Sequence, residues 1–594
     1  MMERWLKQYF GFSDFRPGQK EIVQALLANK NLLSVMPTGA GKSICYQLPA
    51  MLSDYKTIIV SPLVSLMDDQ VASLKSNKLP AEKIHANCTF EENGAAWRSF
   101  SQGEAKILYV SPERLMTDRM VASLNGLGIG MFVIDEAHCI SKWGAGFRPD
   151  YNDLSRLQYL FPGAVIAAFT ATADEATRND IVEKLTSGNA SIFVRGFDRP
   201  NLSLTVLQKT NWKQRLLEFL TLKRRQSGII YCLSRKNTET VAAYLSENGF
   251  NALPYHAGQD ATVRRNSQGR FMTEEGLIMV ATIAFGMGID KPDIRFVVHA
   301  NLPSSMEAFY QEIGRAGRDG ASAETMIFYG LDDLIKRRRM INQGEGDDQY
   351  KLREQKRLDT LVAYCEAATC RRKALLAYFD DVYVECGNCD NCLNPPILID
   401  GTELAQMALS VISTTGEYFG TVHIVNVVRG TLTEKVLQRR HNELSNFGVG
   451  KEHPKEFWQA LIRQLLAAGH ISVDIQRYGA LRISDTGRKV LSGDTVFNYK
   501  NIKSERLLPS GKSQKSLPKI IGVNEELLAK LKVKRLDIAR EKRVPAFVIF
   551  SDRSLTEMAA KRPQSESQFL DINGVGPQKL KEYGKTFLSL IMSE

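Results

Sequence analysis

The stretch "NLLSVMPTGAGKSICYQLPAML", residues 31–52, decides how the chain is read. An apolar run, "NLLSV", leads into a glycine-bearing loop and then into the helical "ICYQLPAML". Backbone amides in a loop that opens a helix point inward and can cradle phosphate oxygens. Lys42 would reach the β- and γ-phosphates, and Ser43 would ligate Mg²⁺. Thr38, Gly39 and Gly41 complete the candidate loop. The strict phosphate-loop pattern has a glycine where Met36 stands, so the loop alone also fits a helix start with a surface lysine.

Farther on, "MFVIDEAH" places Asp135 and Glu136 at the C-terminal end of an apolar strand. Asp135 can hold Mg²⁺ through water, and Glu136 can orient and deprotonate an attacking water. Together the loop and the acidic pair make the two halves of a nucleoside-triphosphate site. They sit in alternating sequence: "KTIIVS", "KILYV" and "AVIAAFT" are further short β-rich runs between helical stretches. The alternation resumes with "SGIIYC", "NALPYHAG", "LIMVAT", "RFVVHA" and "ETMIFYG". This predicts two tandem α/β lobes, each a parallel sheet with flanking helices.

In the second lobe, "YQEIGRAGRDG" (residues 310–320) supplies Arg315 and Arg318. Cations of this kind stabilise the charge that develops as a γ-phosphate leaves. Read as a helix, their spacing puts both on one face with Gln311. Just upstream, "ATIAFGMGIDKPDIR" carries Gly286, Gly288 and Asp290 in a tight loop.

The segment after the acidic pair, "CISKWGAGFRPDY", holds Trp143, Phe147, Arg148 and Tyr151. Aromatics stack on unpaired bases without sequence preference, at roughly 1–3 kcal/mol per base. Arg148 adds a phosphate or cation–π contact. Core packing of Trp143 and Phe147 is the competing reading.

With 594 residues the chain exceeds one core, and roughly three to five domains are expected. The net charge of +11 favours a polyanionic partner. No apolar run reaches the about 18 residues of a membrane span, and the first residues lack a signal-peptide core, so a cytoplasmic location is the default. Of nine cysteines, Cys370, Cys386, Cys389 and Cys392 cluster with two C-x-x-C steps, which in a reducing compartment argues for a structural metal.

In order, "MPTGAGKS", "SPLVSLMDDQ", "DEAH", "AFTATA", "YCLSRK", "VATIAFGMGIDKPD" and "QEIGRAGRDG" resemble the motifs of superfamily-two helicases, in the flavour of bacterial RecQ proteins. "FGFSDFRPGQKEIV" resembles that family's adenine motif; Phe12 would stack on the base while Arg16 and Gln19 read its edge. The resemblance implies two RecA-like lobes (1–200 and 201–338), a helical Zn²⁺ module (339–399), a winged helix (400–500), a linker (501–521) and a small helical HRDC domain (522–594). It implies an ATP-dependent helicase moving 3′ to 5′ on single-stranded and duplex or branched DNA in recombination and repair. A monomer is expected, with contact to a single-strand-binding protein through the winged helix. A DNA-binding regulator with a weak motor and an RNA helicase are the alternatives. One feature departs from the family. Where it reads W-G-H-D-F-R-P, this chain has Ala145 and Gly146, so two polar coupling positions are blank.

Overall fold

In the computed structural model the described residues are 2–37, 41–141, 148–173, 175–194, 196–286, 291–344, 346–379, 381, 385–474, 480–500, 523–542 and 544–593. The first sheet holds β1 (Leu32–Val35), β2 (Lys56–Val60), β3 (Ala81–Ile84), β4 (Ile107–Val110), β5 (Ile129–Ile134), β6 (Val165–Thr170) and β7 (Ser191–Val194). They run parallel in the order β3-β4-β2-β5-β6-β1-β7. The second sheet holds β8 (Leu202–Gln208), β9 (Gly228–Tyr231), β10 (Ala252–Tyr255), β11 (Ile278–Ala281), β12 (Phe296–His299) and β13 (Ala323–Tyr329). These too are parallel, in the order β10-β11-β9-β12-β13-β8.

The central strands are continuous apolar runs because helices cover both faces of each sheet. β1, β4 and β6 are buried along their whole length. The edge strands escape sequence inspection for the converse reason: β3 reads "AEKI" and β7 is largely exposed. Polar residues on edges guard against unwanted pairing. In the first sheet, β6 lies between β1 and β5. The phosphate loop follows β1 and the acidic pair follows β5, so both emerge at the C-terminal edge, where open α/β sheets bind ligands.

Beyond the lobes, helices Leu331–Gln343, Asp348–Glu366 and Arg371–Tyr378 lead to the cysteine knuckle. The first of these runs across residue 338, the expected end of the second lobe. Helices Thr402–Thr414, Thr421–Val428 and Lys455–Ala467 build the next unit around the fully buried Trp458, whose Nε1 donates to the Gly450 carbonyl at 2.8 Å. β15 (Ile471–Asp474) and β16 (Ala480–Ile483) form its antiparallel pair; residues 475–479 between them lie outside the described residues. A second pair, β14 (Leu398–Asp400) with β17 (Asn498–Lys500), joins the two ends of this unit. The whole of the expected linker, 501–521, is also outside the described residues. The last unit packs helices Glu525–Lys542, Asp552–Lys561 and Lys585–Met592 around Phe550, Phe569 and Phe587. Among the described residues no helix is long and apolar enough to cross a membrane.

Candidate functional site

Gly41 takes a left-handed conformation (φ 84°) and starts the helix Lys42–Leu52, so Lys42 and Ser43 occupy its first turn. Thr38 and Gly39 lie outside the described residues. Gln19, almost fully buried, donates from Nε2 to the Gly41 carbonyl (3.1 Å) and accepts the Arg16 amide (2.8 Å) at Oε1. The expected adenine reader therefore also braces the phosphate loop. Phe12 sits half-buried against Leu6, Val23 and Leu48.

Asp135 is buried at the end of β5, its Oδ1 accepting the Glu136 amide at 3.0 Å. Glu136 has φ 49°, a left-handed backbone at a residue with a side chain. Such strain persists only where the surroundings impose it. Burial and the Glu136 charge raise Asp135, against the pull of Lys42. Burial opposes ionisation of Glu136 too, but Lys42, His138, Arg315 and Arg318 outweigh it and hold Glu136 below its ordinary value. Two of those cations belong to the second lobe, so Glu136 feels charges from both lobes. Arg315 Nε is buried with no hydrogen-bond partner among the described residues, and buried Glu136 Oε2 has His138 Nδ1 beside it at 3.3 Å. Burial also raises the Tyr46 hydroxyl, with Tyr109 and Asp135 adding to the rise and Ser43 hydrogen-bonding to it. Ser43 and Asp135 thus both act on Tyr46.

The arginines do not share a helix face. The helix Met306–Ile313 ends before them, and residues 314–319 form turns. Gly317 has φ 56°, and a Cβ there would meet Asn201 Nδ2 at 2.4 Å, so the loop seats only a glycine. The helical spacing is broken by glycine chemistry rather than by the arginines themselves. Arg315 donates to the Gly286 carbonyl. Gln311 alone remains helical, and its Nε2 donates to Thr172 Oγ1 in the first lobe at 2.8 Å. Gly288 and Asp290 lie outside the described residues.

A polar chain not foreseen from the motifs extends this contact. Thr170 Oγ1, at the end of β6, donates to the Thr172 carbonyl (3.1 Å) and pairs with His138 Nδ1 (2.9 Å). His138 Nδ1 also lies 3.3 Å from Glu136. The carboxylate is thereby connected through His138, Thr170 and Thr172 to Gln311. The signal was present as polar threonines in "AFTATA", at the end of an otherwise apolar strand.

Trp143, Ala145, Gly146 and Phe147 lie outside the described residues. The chain is anchored immediately after them: the Arg148 amide donates to the Cys139 carbonyl (2.9 Å) and Arg148 Nη1 to the Pro62 carbonyl (3.2 Å). Tyr151 is fully buried and its hydroxyl donates to the Asp135 carbonyl at 3.0 Å. Tyr151 is therefore a brace for the catalytic strand end rather than an exposed aromatic.

The Sγ atoms of Cys370, Cys386, Cys389 and Cys392 lie within 4.8 Å of one another. Cys370–Cys386, Cys386–Cys392 and Cys370–Cys389 are 3.4, 3.9 and 4.0 Å apart. Tetrahedral Zn²⁺ with Zn–S of about 2.3 Å needs sulfurs about 3.8 Å apart, so the set fits Zn²⁺. Hydrogen bonding from Cys386 draws the Cys389 thiol down, and the Arg371 amide adds to this. The closed four-sulfur set leaves no open position, as in structural zinc sites.

Two sheets with a phosphate loop, an acidic pair and facing arginines define a two-lobed nucleotide hydrolase, and residue-level comparison agrees. Residues 16–181 match the DEAD/DEAH box helicase family and residues 211–320 the helicase conserved C-terminal domain. Residues 331–393 match the RecQ zinc-binding family, 395–507 the RQC domain and 524–591 the HRDC domain. The chain is 39% identical over 591 residues to the ATP-dependent DNA helicase RecQ of Haemophilus influenzae, covering 99% of this chain and 95% of that protein. The proteins of the same name from Pasteurella multocida (38%) and Bacillus subtilis (36%) are matched over 99% of this chain and 93% and 98% of theirs. The chain belongs to the RecQ helicase family.

Proposed function

We propose that this chain, an ATP-dependent DNA helicase by its family, moves 3′ to 5′ along one strand and unwinds duplex or branched DNA during recombination and repair. The observation that carries the motor reading is Glu136 between Lys42 on its own lobe and Arg315 and Arg318 on the other, where Gln311 Nε2 donates across to Thr172 Oγ1 at 2.8 Å. Lys42 and the loop of Gly41 bind the phosphates, with Thr38, Gly39, Gly288 and Asp290 completing the nucleotide pocket. Phe12 stacks on the adenine, and Arg16 and Gln19 read its edge. Ser43 and Asp135 would hold Mg²⁺, which when bound screens phosphate charge. Glu136 takes the proton of the attacking water, and Arg315 and Arg318 face the charge that develops on the leaving phosphate. Gln311 reports lobe closure through Thr172.

DNA enters beside Trp143, Phe147 and Arg148. The four cysteines hold Zn²⁺ as a structural ion. The further reading is of a cytoplasmic monomer that meets single-strand-binding protein through its winged helix. ATP hydrolysis with and without single-stranded DNA, and unwinding of duplexes with a 3′ or a 5′ tail, test the proposal. DNA stimulation of hydrolysis and unwinding of the 3′-tailed duplex are expected. DNA binding without stimulation would favour a regulatory DNA-binding protein, and preference for RNA duplexes an RNA helicase.

A further inference from the structure

Arg199 lies in the strap that joins the lobes, just before β8. Its guanidinium addresses main-chain oxygens of the arginine loop. Nη2 donates to the carbonyls of Ala316 (2.9 Å) and Gly317 (2.8 Å), and Nη1 reaches that of Gly314 (3.4 Å). Asn201, 3.4 Å from Arg199 Nε, donates to the Gly317 and Ala321 carbonyls at 2.9 and 2.8 Å. The carbonyls of Gly314, Ala316 and Gly317 flank Arg315 and precede Arg318, and that of Ala321 follows it. The strap grips the same motif a third time, where the Tyr310 hydroxyl donates to the Phe197 carbonyl at 2.7 Å. Past Ile313 the amides of the loop are taken up by backbone, Ala316 on the Ile313 carbonyl (3.0 Å) and Gly317 on that of Ile294 (2.9 Å), while side chains from the strap hold its carbonyls. A planar guanidinium, with donors in a fixed fork, can hold several carbonyls at once, whereas an ammonium cannot span them in the same geometry.

The other side of the strap is held by the cysteine module. Arg372 donates to the carbonyls of Arg199 (3.1 Å) and Leu202 and pairs with Asp198 at 3.3 Å. Asn388, between Cys386 and Cys389, donates to the Pro200 carbonyl at 3.2 Å. Asp390 Oδ2 accepts the Val206 amide at 3.0 Å.

We propose that Arg199 is a positioning residue for ATP hydrolysis: it holds the loop of Arg315 and Arg318 in the conformation that faces Glu136, and the cysteine knuckle holds Arg199 in place through Asn388 and Arg372. The inference rests on the reading of those arginines as the cations that face the leaving phosphate.

The test uses the full-length, zinc-loaded chain. It measures kcat and KM of DNA-stimulated ATP hydrolysis, equilibrium binding of a fluorescent ATP analogue, melting temperature and zinc content. Arg199→Ala is expected to lower kcat by at least ~10-fold, the scale of a misplaced reacting group, with nucleotide affinity kept within about two-fold. Arg199→Lys restores only part of the loss. Asn388→Ala keeps its zinc and lowers kcat by a few-fold, and the double variant is no slower than Arg199→Ala, because both act through one contact chain. Unchanged kcat in Arg199→Ala overturns the proposal. So does a kcat loss that merely follows a fall in melting temperature and affinity, full rescue by lysine, or additive losses in the double variant. Should Arg199→Ala not fold, Arg199→Lys and Asn388→Ala decide by the same criteria. Arg315→Ala separates the two readings. If it hydrolyses ATP normally, the role given to the arginine pair fails. If it is inactive while Arg199→Ala is normal, only the positioning role fails.

Discussion

Lys42 and Glu136 act on different steps, so their substitution should separate binding from turnover. Lys42→Ala removes the cation aimed at the phosphates and should weaken ATP binding. Glu136→Gln keeps the shape and loses only the base, so binding should persist while hydrolysis falls by about 10²–10⁴-fold. Equal loss of affinity in both, measured by equilibrium nucleotide binding, would refute these roles. The blank positions Ala145 and Gly146 make a second prediction at this scale. A side chain with a donor or acceptor there could hold the aromatic loop in one of two states, and neither residue has one. DNA stimulation of hydrolysis should therefore be weaker than in a relative with the full pattern, and Ala145→His with Gly146→Asp should raise the ratio of stimulated to basal rate. An unchanged ratio would assign coupling to the route through His138, Thr170 and Thr172 to Gln311, whose contacts are already formed.

The cysteine knuckle is a short element without a core of its own, and its order depends on the metal. Elemental analysis of the purified chain should find one zinc per molecule. Cys389→Ser should lower the melting temperature and loosen β8, because the adjacent Asp390 carries the Val206 amide and the Arg371 ion pair. Unaltered hydrogen exchange across residues 202–208 in a zinc-free variant would sink this. In the winged helix, His423 Nε2 and His441 Nδ1 are 2.7 Å apart beside Phe419. Burial, then His441, Lys435 and Arg439, push His423 down to about 4. The unfolded chain takes up this proton near pH 6.5 and the folded chain only near 4. Stability from the pair is complete above about pH 6.5 and drains away as pH falls toward about 4. Amide protection factors across residues 421–428, corrected for the intrinsic exchange rate, should fall from about pH 7 to about pH 5. His441→Gln should flatten that dependence, since one opposing cation is gone; an equal dependence in the variant would assign it to other groups.

Across the whole molecule, the last domain is seated on both lobes. Lys7 Nζ donates to the Leu570 carbonyl (2.7 Å), the Gly574 amide donates to the Gly11 carbonyl (3.3 Å), and Arg535 lies 3.5 Å from Glu275. Every residue placed at the nucleotide lies before residue 320, so removing residues 522–594 should leave DNA-stimulated hydrolysis in place. Because Gly11 precedes Phe12, the truncation should shift KM for ATP more than kcat, and it should alter DNA affinity or structure preference. Loss of kcat in a well-folded truncation would contradict this division of labour.

Local chemistry alone determined the two lobes, the phosphate loop, the acidic pair and the cysteine cluster of this protein. Each is written in contiguous residues: apolar runs buried on both faces, glycine before lysine at a helix start, thiols at ligand spacing. Even there the reading stopped at strands whose edge position leaves them polar, β3 and β7, and at a helix taken to continue through Gly314 and Gly317. What only the tertiary structure decided is which distant groups meet. Gln19 on the Gly41 carbonyl, Gln311 on Thr172, Tyr151 under Asp135 and Arg199 on the arginine loop are contacts between segments far apart in the chain. A hydrogen bond between such segments leaves no periodicity or spacing in either one. It exists only because two sheets, each closed by its own apolar burial, bring their C-terminal loops to one face.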